Sequence, residues 1–418
     1  MNEPSHATRS FVLGAVAVVA AVFAAGMSKI ADLDFWWHLR TGQLIASQRA
    51  IPRTDVLSFT AAGREYIDHE WLFQLSQYAT FSALGPAGIA ILKCVIFSIT
   101  ALLVLHFCMS RGVPVLAAVS LVFLGIAGGI TRLIERPEIF SLLFAVLTYV
   151  ILEHYRRNAR PAILFLLPLI CALWANVHAA VIVGLVIQFL WNAAELPRPS
   201  RWPLVALAAS VIASGANPFG YRVLSVPFEL TRIIDSGLLN NEEWRRPTLL
   251  KAPFFFLMLV LTALSLVRAA KHRRFAAVLI GAFLAYVSLK YIRNVGLFSM
   301  FAPMLIATEL AEVSIRRVWQ TSVAILGCGA LLIALTIYYP FERGIGIASY
   351  FPDRLAAFVH DNGVAGNMLN SYGFGGYLTW ALYPERRIFV DGRNEVFVPL
   401  MERLAKARGD SREWNALL

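Results

Sequence analysis

Charge is scarce in this chain. Only 15% of its 418 residues are Asp, Glu, Lys or Arg, 58% are hydrophobic, and the mean hydropathy is +0.64. Soluble domains carry about 25% charged and about 45–50% apolar residues, so the soluble globular class is excluded and a polytopic membrane protein is expected. Cysteine is also sparse. Cys94, Cys108, Cys171 and Cys328 each lie inside an apolar run, which excludes a disulfide framework or zinc spacing and predicts inert core thiols. There is no P-loop, no Gly-rich dinucleotide fingerprint and no heptad run. The first apolar segment has no small-residue cleavage site followed by a soluble domain, and it reads as a retained helix. The charge that is present leans basic, 37 Lys and Arg against 26 Asp and Glu. It lies in short runs between apolar segments, as the positive-inside rule expects, and does not suggest nucleic acid.

What the chain has in quantity is long apolar runs, near 10–27, 87–109, 113–130, 137–153, 161–175, 178–194, 203–216, 253–269, 275–290, 295–312 and 321–339. Basic clusters at Arg111, Arg156/Arg157/Arg160, Arg198/Arg201, Arg268/Lys271/Arg273/Arg274 and Arg316/Arg317 all fall on one side if the chain makes about eleven spans from a cytoplasmic N-terminus. The same count puts four features on the opposite face: the segment 28–86, the turn 132–138, the loop 217–252 and the tail from 340. The hairpin 161–194 is short. Its helices reach roughly 51 Å in all, against about 60 Å for two full spans. Its turn 174–178 is therefore expected to sink below the outer surface and floor a polar cavity, with Asn176 and His178 either facing that cavity or satisfying a buried turn.

Two external regions complete the architecture. Residues 28–86 are too long for a plain connection. They predict an amphipathic surface helix over 35–49, β-formers over 56–67, and a second surface helix over 68–84 capped by Asp68. Residues 340–418 have ordinary soluble composition and predict a small α/β unit with a helix at 353–361 and strands at 364–369 and 386–390. That tail stops inside an amphipathic pattern, which reads as a truncation or a missing final strand. The expected fold class is an all-α polytopic membrane protein with a small C-terminal extracytoplasmic α/β segment, divided as a transmembrane core 1–339 and a tail 340–418.

Asp32 and Asp34 stand just after the first apolar run, within DLDFWWHLRTG. With the long first external loop and the span count, this acidic pair resembles the GT-C superfold of membrane glycosyltransferases. The strings IPRTDVLSFTAAGREYIDHEWL, NPFG, EEWRRP and GGYLTWALYPERRIFVDGR resemble, more narrowly, a group of bacterial membrane proteins with a GT-C-like core. The resemblance implies transfer of a sugar from a polyprenyl-phosphate carrier to an extracytoplasmic acceptor, with inversion and with lipid phosphate as leaving group. It also implies a bacterial cytoplasmic membrane with the C-terminus outside.

In that setting Asp34, ahead of Asp32, reads as the general base that takes the acceptor's hydroxyl proton. The alternative is an N-cap for the helix beginning near Phe35. No cofactor is required by the pattern. A divalent metal ion is left open, with Asp34 and Asp32 as its ligands. Glu70 either orients the acceptor or completes that metal site, or, with His69, merely stabilises a helix start. Trp36, Trp37, His38 and Arg40 are either interfacial anchors or contacts to sugar and headgroup. Lys93, buried in an apolar span, either snorkels outward or faces the carrier phosphate. Arg132, Arg136 and Arg293 lie on the outer face, where positive-inside bias does not explain them, and suit a phosphate. The four cations are expected to converge near Asp34. Pairing of all four with carboxylates such as Glu135 or Glu138 points instead to a non-catalytic scaffold. Asp391, Gly392 and Arg393, and Asn370 with Tyr372, read as turn chemistry. A flippase for lipid-linked saccharides is disfavoured by the lack of internal repeats, and an O-antigen ligase or polymerase by the early position of the long loop.

Overall fold

The structure, a computed structural model, describes residues 6–195, 200–238, 241–310 and 317–417. Each of the eleven apolar runs lies on helix, from His6–Gly26 to Arg317–Thr336. Five helices are long and apolar enough to cross a bilayer by themselves: Thr8–Gly26, Trp71–Ser110, Val115–Arg132, Glu138–Asn158 and Pro253–Lys271. The others are shorter, and the helices Leu166–Val177 and Val181–Ala194 are joined by the turn 178–180. Cys94, Cys108 and Cys171 are buried as expected, but Cys328 is exposed on its helix.

The four regions that the charge pattern assigns to one face are found together. Arg136 in the 132–138 turn pairs with Asp32 and with Glu243 of the 217–252 loop. Ile30 and Gly346, and Phe59 and Ile388, join the 28–86 loop to the tail through backbone hydrogen bonds of 2.8 and 3.1 Å. At the other end of the bundle Arg111 meets Glu153 at 2.6 Å and Arg156 meets Glu195 at 3.1 Å. Arg198 and Arg316 lie outside the described residues.

The first external helix, Phe35–Gln48, is started by Asp32, whose Oδ1 accepts from the backbone N–H groups of Asp34 (2.7 Å) and Phe35 (3.2 Å). It ends at Arg49 in a left-handed conformation, just before Ile51 and Pro52, a combination that stops a helix. The second begins at Trp71, three residues later than expected, and continues to Ser110. Gly85, at φ +59°, and Pro86 bend it where the surface portion turns into the span. Asp68 does not cap it; its carboxylate instead accepts from Gln74 Nε2 at 2.7 Å.

The expected strands do not form. Among the described residues there is no sheet, only isolated bridges such as Thr54 with Glu65 and Ser58 with Ile388. The tail has the expected helix, Asp353–Asp361, and further helices Gly375–Leu382, Val398–Ala407 and Ser411–Leu417. It is packed onto the 28–86 loop. Trp36 is 1% exposed among Phe35, Phe81, Phe351, Tyr377 and Trp380. Trp37 belongs to a second cluster with Tyr66, Phe389, Val390 and Phe397. Neither tryptophan is an interfacial anchor, because each rests on apolar rings of the tail. Aromatic side chains bury about 150–250 Å² apiece, so this unit carries its own core.

Candidate functional site

A polar pocket of about 80 Å³ opens where the external regions meet, lined by Asp34, Trp37, His38, His69, Glu70, Arg136, His178, Glu243, Arg293 and the loop 392–395, among others. Beside it lies a larger, mostly apolar cavity of about 330 Å³, walled by Val183, Val186, Phe228, Phe283, Val287 and Leu297. The two share His69, Glu138, His178, Leu230, Trp244 and Arg293.

Asp34 stands at the helix start, but its side chain makes no capping bond, since Asp32 does that work. The Asp34 carboxylate, 26% exposed, faces the pocket and meets Arg136 Nη2 at 2.9 Å. Partial burial pushes its pKa upward against the pull of Arg136. The same conflict leaves Asp32 at about 6. Oδ1 of Asp34 lies against Gly392. A Cβ built at residue 392 would come within 1.9 Å of that oxygen, so only glycine lets the tail approach this closely.

Three imidazoles surround Glu70. Its carboxylate lies 3.6 Å from His38 Nε2, 3.5 Å from His69 Nε2 and 3.7 Å from His178 Nε2. These contacts are too long for good hydrogen bonds. Nδ1 of His69 is 3.2 Å from the carbonyl of Ile67, and a carbonyl can only accept, so that nitrogen carries a proton. Burial alone would lower the pKa of His69, but the Glu70 carboxylate outweighs it and holds the group up at about 9. Burial lowers His38 to about 3. One imidazolium–carboxylate pair thus sits beside a neutral imidazole. His178 is anchored by Ser141 Oγ at 2.7 Å, which also accepts from Trp174 Nε1. The His69 pair has a pH signature. A folded-state pKa raised from 6.5 to about 9 gives stability that is full below 6.5 and lost as pH rises through 9, on the order of 3 kcal/mol. Thermal unfolding of wild type and His69→Gln, compared from pH 6.5 to pH 9, should show the wild-type advantage shrinking as pH rises. A constant difference would remove the charged pair.

The four outer cations are all partnered. Arg132 bonds Glu138 and Glu243, the latter at 2.8 Å; Arg136 bonds Asp32, Asp34 and Glu243; Arg293 bonds Glu138 at 2.7 Å. Arg136 and Arg293 line the polar pocket, and Arg132 and Arg293 line the apolar one. Three guanidiniums against the four carboxylates Asp32, Asp34, Glu138 and Glu243 leave one negative charge in excess. Each of these guanidiniums therefore already carries at least one carboxylate partner. Lys93 stands apart. It is 1% exposed, held at 2.5 Å from Glu135 and 2.8 Å from Ser28 Oγ, so it neither snorkels nor faces the pocket.

Two further expectations are corrected. Arg40 stacks on Trp380 and bonds Gln43 and the Trp380 carbonyl, away from the pocket. Asn176 accepts from Trp71 Nε1 at 2.8 Å and donates to the carbonyls of Ala172 and Ala216; it holds the turn together while His178 supplies the floor. Sequence reasoning missed Glu243, Trp244, Asn394 and Glu395. The segment 391–393 is more than a turn: Arg393 is buried between Asp391 and Asp55, at 2.8 and 2.6 Å. Asn370 and Tyr372 brace it, with Asn370 bonding the Phe389 N–H and the Val390 carbonyl and Tyr372 bonding Asn394.

No protein-family model and no curated protein matches the sequence. Solved structures do match the fold. The oligosaccharyltransferase of Archaeoglobus fulgidus tethered to an acceptor peptide aligns with TM-score 0.62 at 12% identity, over 92% of this chain and 64% of that one. The same enzyme, named AglB, in complex with an inhibitory peptide and dolichol-phosphate aligns with TM-score 0.58, 12% identity and the same coverage. Its complex with zinc and sulfate aligns with TM-score 0.60 at 12% identity, over 91% and 62% of the two chains. The fold is the GT-C superfold. This chain spans less than two thirds of those neighbours' length, and at 12% identity the GT-C likeness is one of architecture.

Proposed function

We propose that the protein is a membrane glycosyltransferase that moves a sugar from a polyprenyl-phosphate carrier to an acceptor on the extracytoplasmic face. The observation that carries this reading is the placement of Asp34. Its carboxylate is released from capping and faces a polar pocket that adjoins an apolar cavity, as a donor with a polar head and an apolar tail requires. In the proposed reaction the acceptor hydroxyl gives its proton to Asp34 as its oxygen attacks the anomeric carbon from the side opposite the phosphate. The bond from that carbon to the phosphate oxygen breaks, and polyprenyl phosphate leaves with inversion. Arg293 is the guanidinium best suited to meet that phosphate. It has one carboxylate partner, Glu138, and borders both cavities. Its Cζ lies over the Trp244 ring, 4.5 Å from the centroid. A GT-C neighbour in complex with dolichol-phosphate and a peptide supports a lipid-linked donor. The test is transfer by the purified protein from labelled polyprenyl-phosphate sugars to added acceptors, wild type against Asp34→Asn.

Zinc is present in one of the neighbouring structures, but the residues of this pocket are not arranged as its ligands. Among the described residues no group of three or more His, Cys, Asp or Glu is placed to hold an ion, and Asp32 and Asp34 are both engaged by Arg136. The residues do not fit a metal.

A second reading, a non-catalytic scaffold of envelope polysaccharide assembly, has one observation in its favour: all four outer cations carry carboxylate partners. Absence of transfer from every lipid-linked donor, with wild type and Asp34→Asn equally inert, would favour it. Both readings share a topology of about eleven spans in a bacterial cytoplasmic membrane, N-terminus inside and C-terminus outside. Reporter fusions after Arg160, Arg201 and Arg274 should all report cytoplasmic, and one external report among them would overturn that count.

A further inference from the structure

Asp32, Asp34 and Glu243 turn their carboxylates onto a single guanidinium. Arg136 meets Asp32 through Nε, Asp34 through Nη2 at 2.9 Å and Glu243 through Nη1 at 2.6 Å, so each nitrogen of the fork is engaged. Converging carboxylate oxygens are the donors that hard divalent cations take. Here those oxygens are already occupied. Asp32 Oδ1 accepts from the backbone N–H groups of Asp34 and Phe35, and its Oδ2 accepts from Arg136 Nε. Glu243 gives Oε2 to Arg136 and Oε1 to Arg132. Asp34 gives Oδ2 to Arg136 while its Oδ1 lies against Gly392.

We propose that Arg136 is the resident cation of this site: its guanidinium holds the three carboxylates where a divalent ion would otherwise bind, and the protein binds no such ion there. A guanidinium remains charged at any working pH, so it cannot make room by losing a proton. An arriving ion would have to break three ion pairs and then sit beside the positive charge it had displaced. The planar fork also fixes direction as a spherical ion does not, and it keeps Asp34 pointed at the pocket. The inference concerns the same carboxylates as the proposed transfer but does not require that transfer to occur.

The test is a Mn²⁺ titration of the purified full chain in detergent or nanodiscs, read by the loss of the free-ion electron paramagnetic resonance signal. Wild type should leave the signal of added Mn²⁺ unchanged. Arg136→Met, which keeps the aliphatic stem and removes the charge, should gain affinity for Mn²⁺ by about tenfold or more, and adding Asp34→Asn to it should remove the gain. Stoichiometric binding by wild type that Asp34→Asn abolishes overturns the proposal, as does a folded Arg136→Met protein that binds no Mn²⁺. If Arg136→Met yields no folded protein, the wild-type titration decides alone: an unchanged signal supports the proposal, and a bound ion sensitive to Asp34→Asn overturns it. Turnover is not used, so a failure to detect sugar transfer and a failure of this inference are separate results.

Discussion

Asp34→Asn should lower sugar transfer by about 10²–10⁴-fold, the usual contribution of a positioned general base. The amide keeps the shape of the carboxylate and removes the acceptor charge. Asp32 does the capping, so the helix Phe35–Gln48 should keep its start. The measurement is turnover of a labelled polyprenyl-phosphate sugar by purified protein, with thermal unfolding run alongside to show that both proteins are folded. Asp32→Asn is the informative companion. Its amide oxygen can still cap, while the ion pair to Arg136 is lost, so the main effect should fall on stability. Equal turnover of Asp34→Asn and wild type would rule out Asp34 as the base.

The second large effect concerns stability. Lys93 and Glu135 are 1% and 3% exposed at the side chain and face each other at 2.5 Å, with Ser28 Oγ as the additional partner of Lys93. Removing one member of a buried pair strands the other charge, at a cost of about 3–5 kcal/mol. Lys93→Met or Glu135→Leu alone should therefore lower the unfolding temperature sharply. The double replacement should recover most of the loss or exceed wild type, because well-packed apolar side chains often match or improve on a buried ion pair. A double-mutant cycle by thermal unfolding checks this. If Lys93→Met alone is neutral, the pair does not support the fold.

Much of the site was legible because charge is so rare in this chain. Asp34, His38, His69, Glu70, Arg136, His178 and Arg293 are spread across some 260 residues of sequence, and all line one pocket. In an apolar chain each ionisable group demands an explanation, and the positive-inside pattern brought the right loops to one face. The same scarcity argument does not hold at Lys93, which is buried against Glu135 and lines neither cavity. Partners across the fold cannot be read from one residue's own neighbourhood. Glu243 and the segment 392–395 escaped for the opposite reason: they lie in stretches of soluble composition, where charge is ordinary. The expected strands failed because β-formers need a partner edge. Ile388 finds only Ser58, and one bridge does not make a ladder. Trp36 was misread because the tail that buries it comes more than three hundred residues later.

That distance in sequence also matters for when the site can exist. The pocket's first side chain, Asp34, is made more than three hundred residues before the wall from Gly392 to Glu395 that closes over it. All of the chain between them is made before the two can touch. A half-made chain held in the membrane would have an open groove with no roof over Asp34. A copy interrupted before Gly392 therefore cannot assemble the pocket.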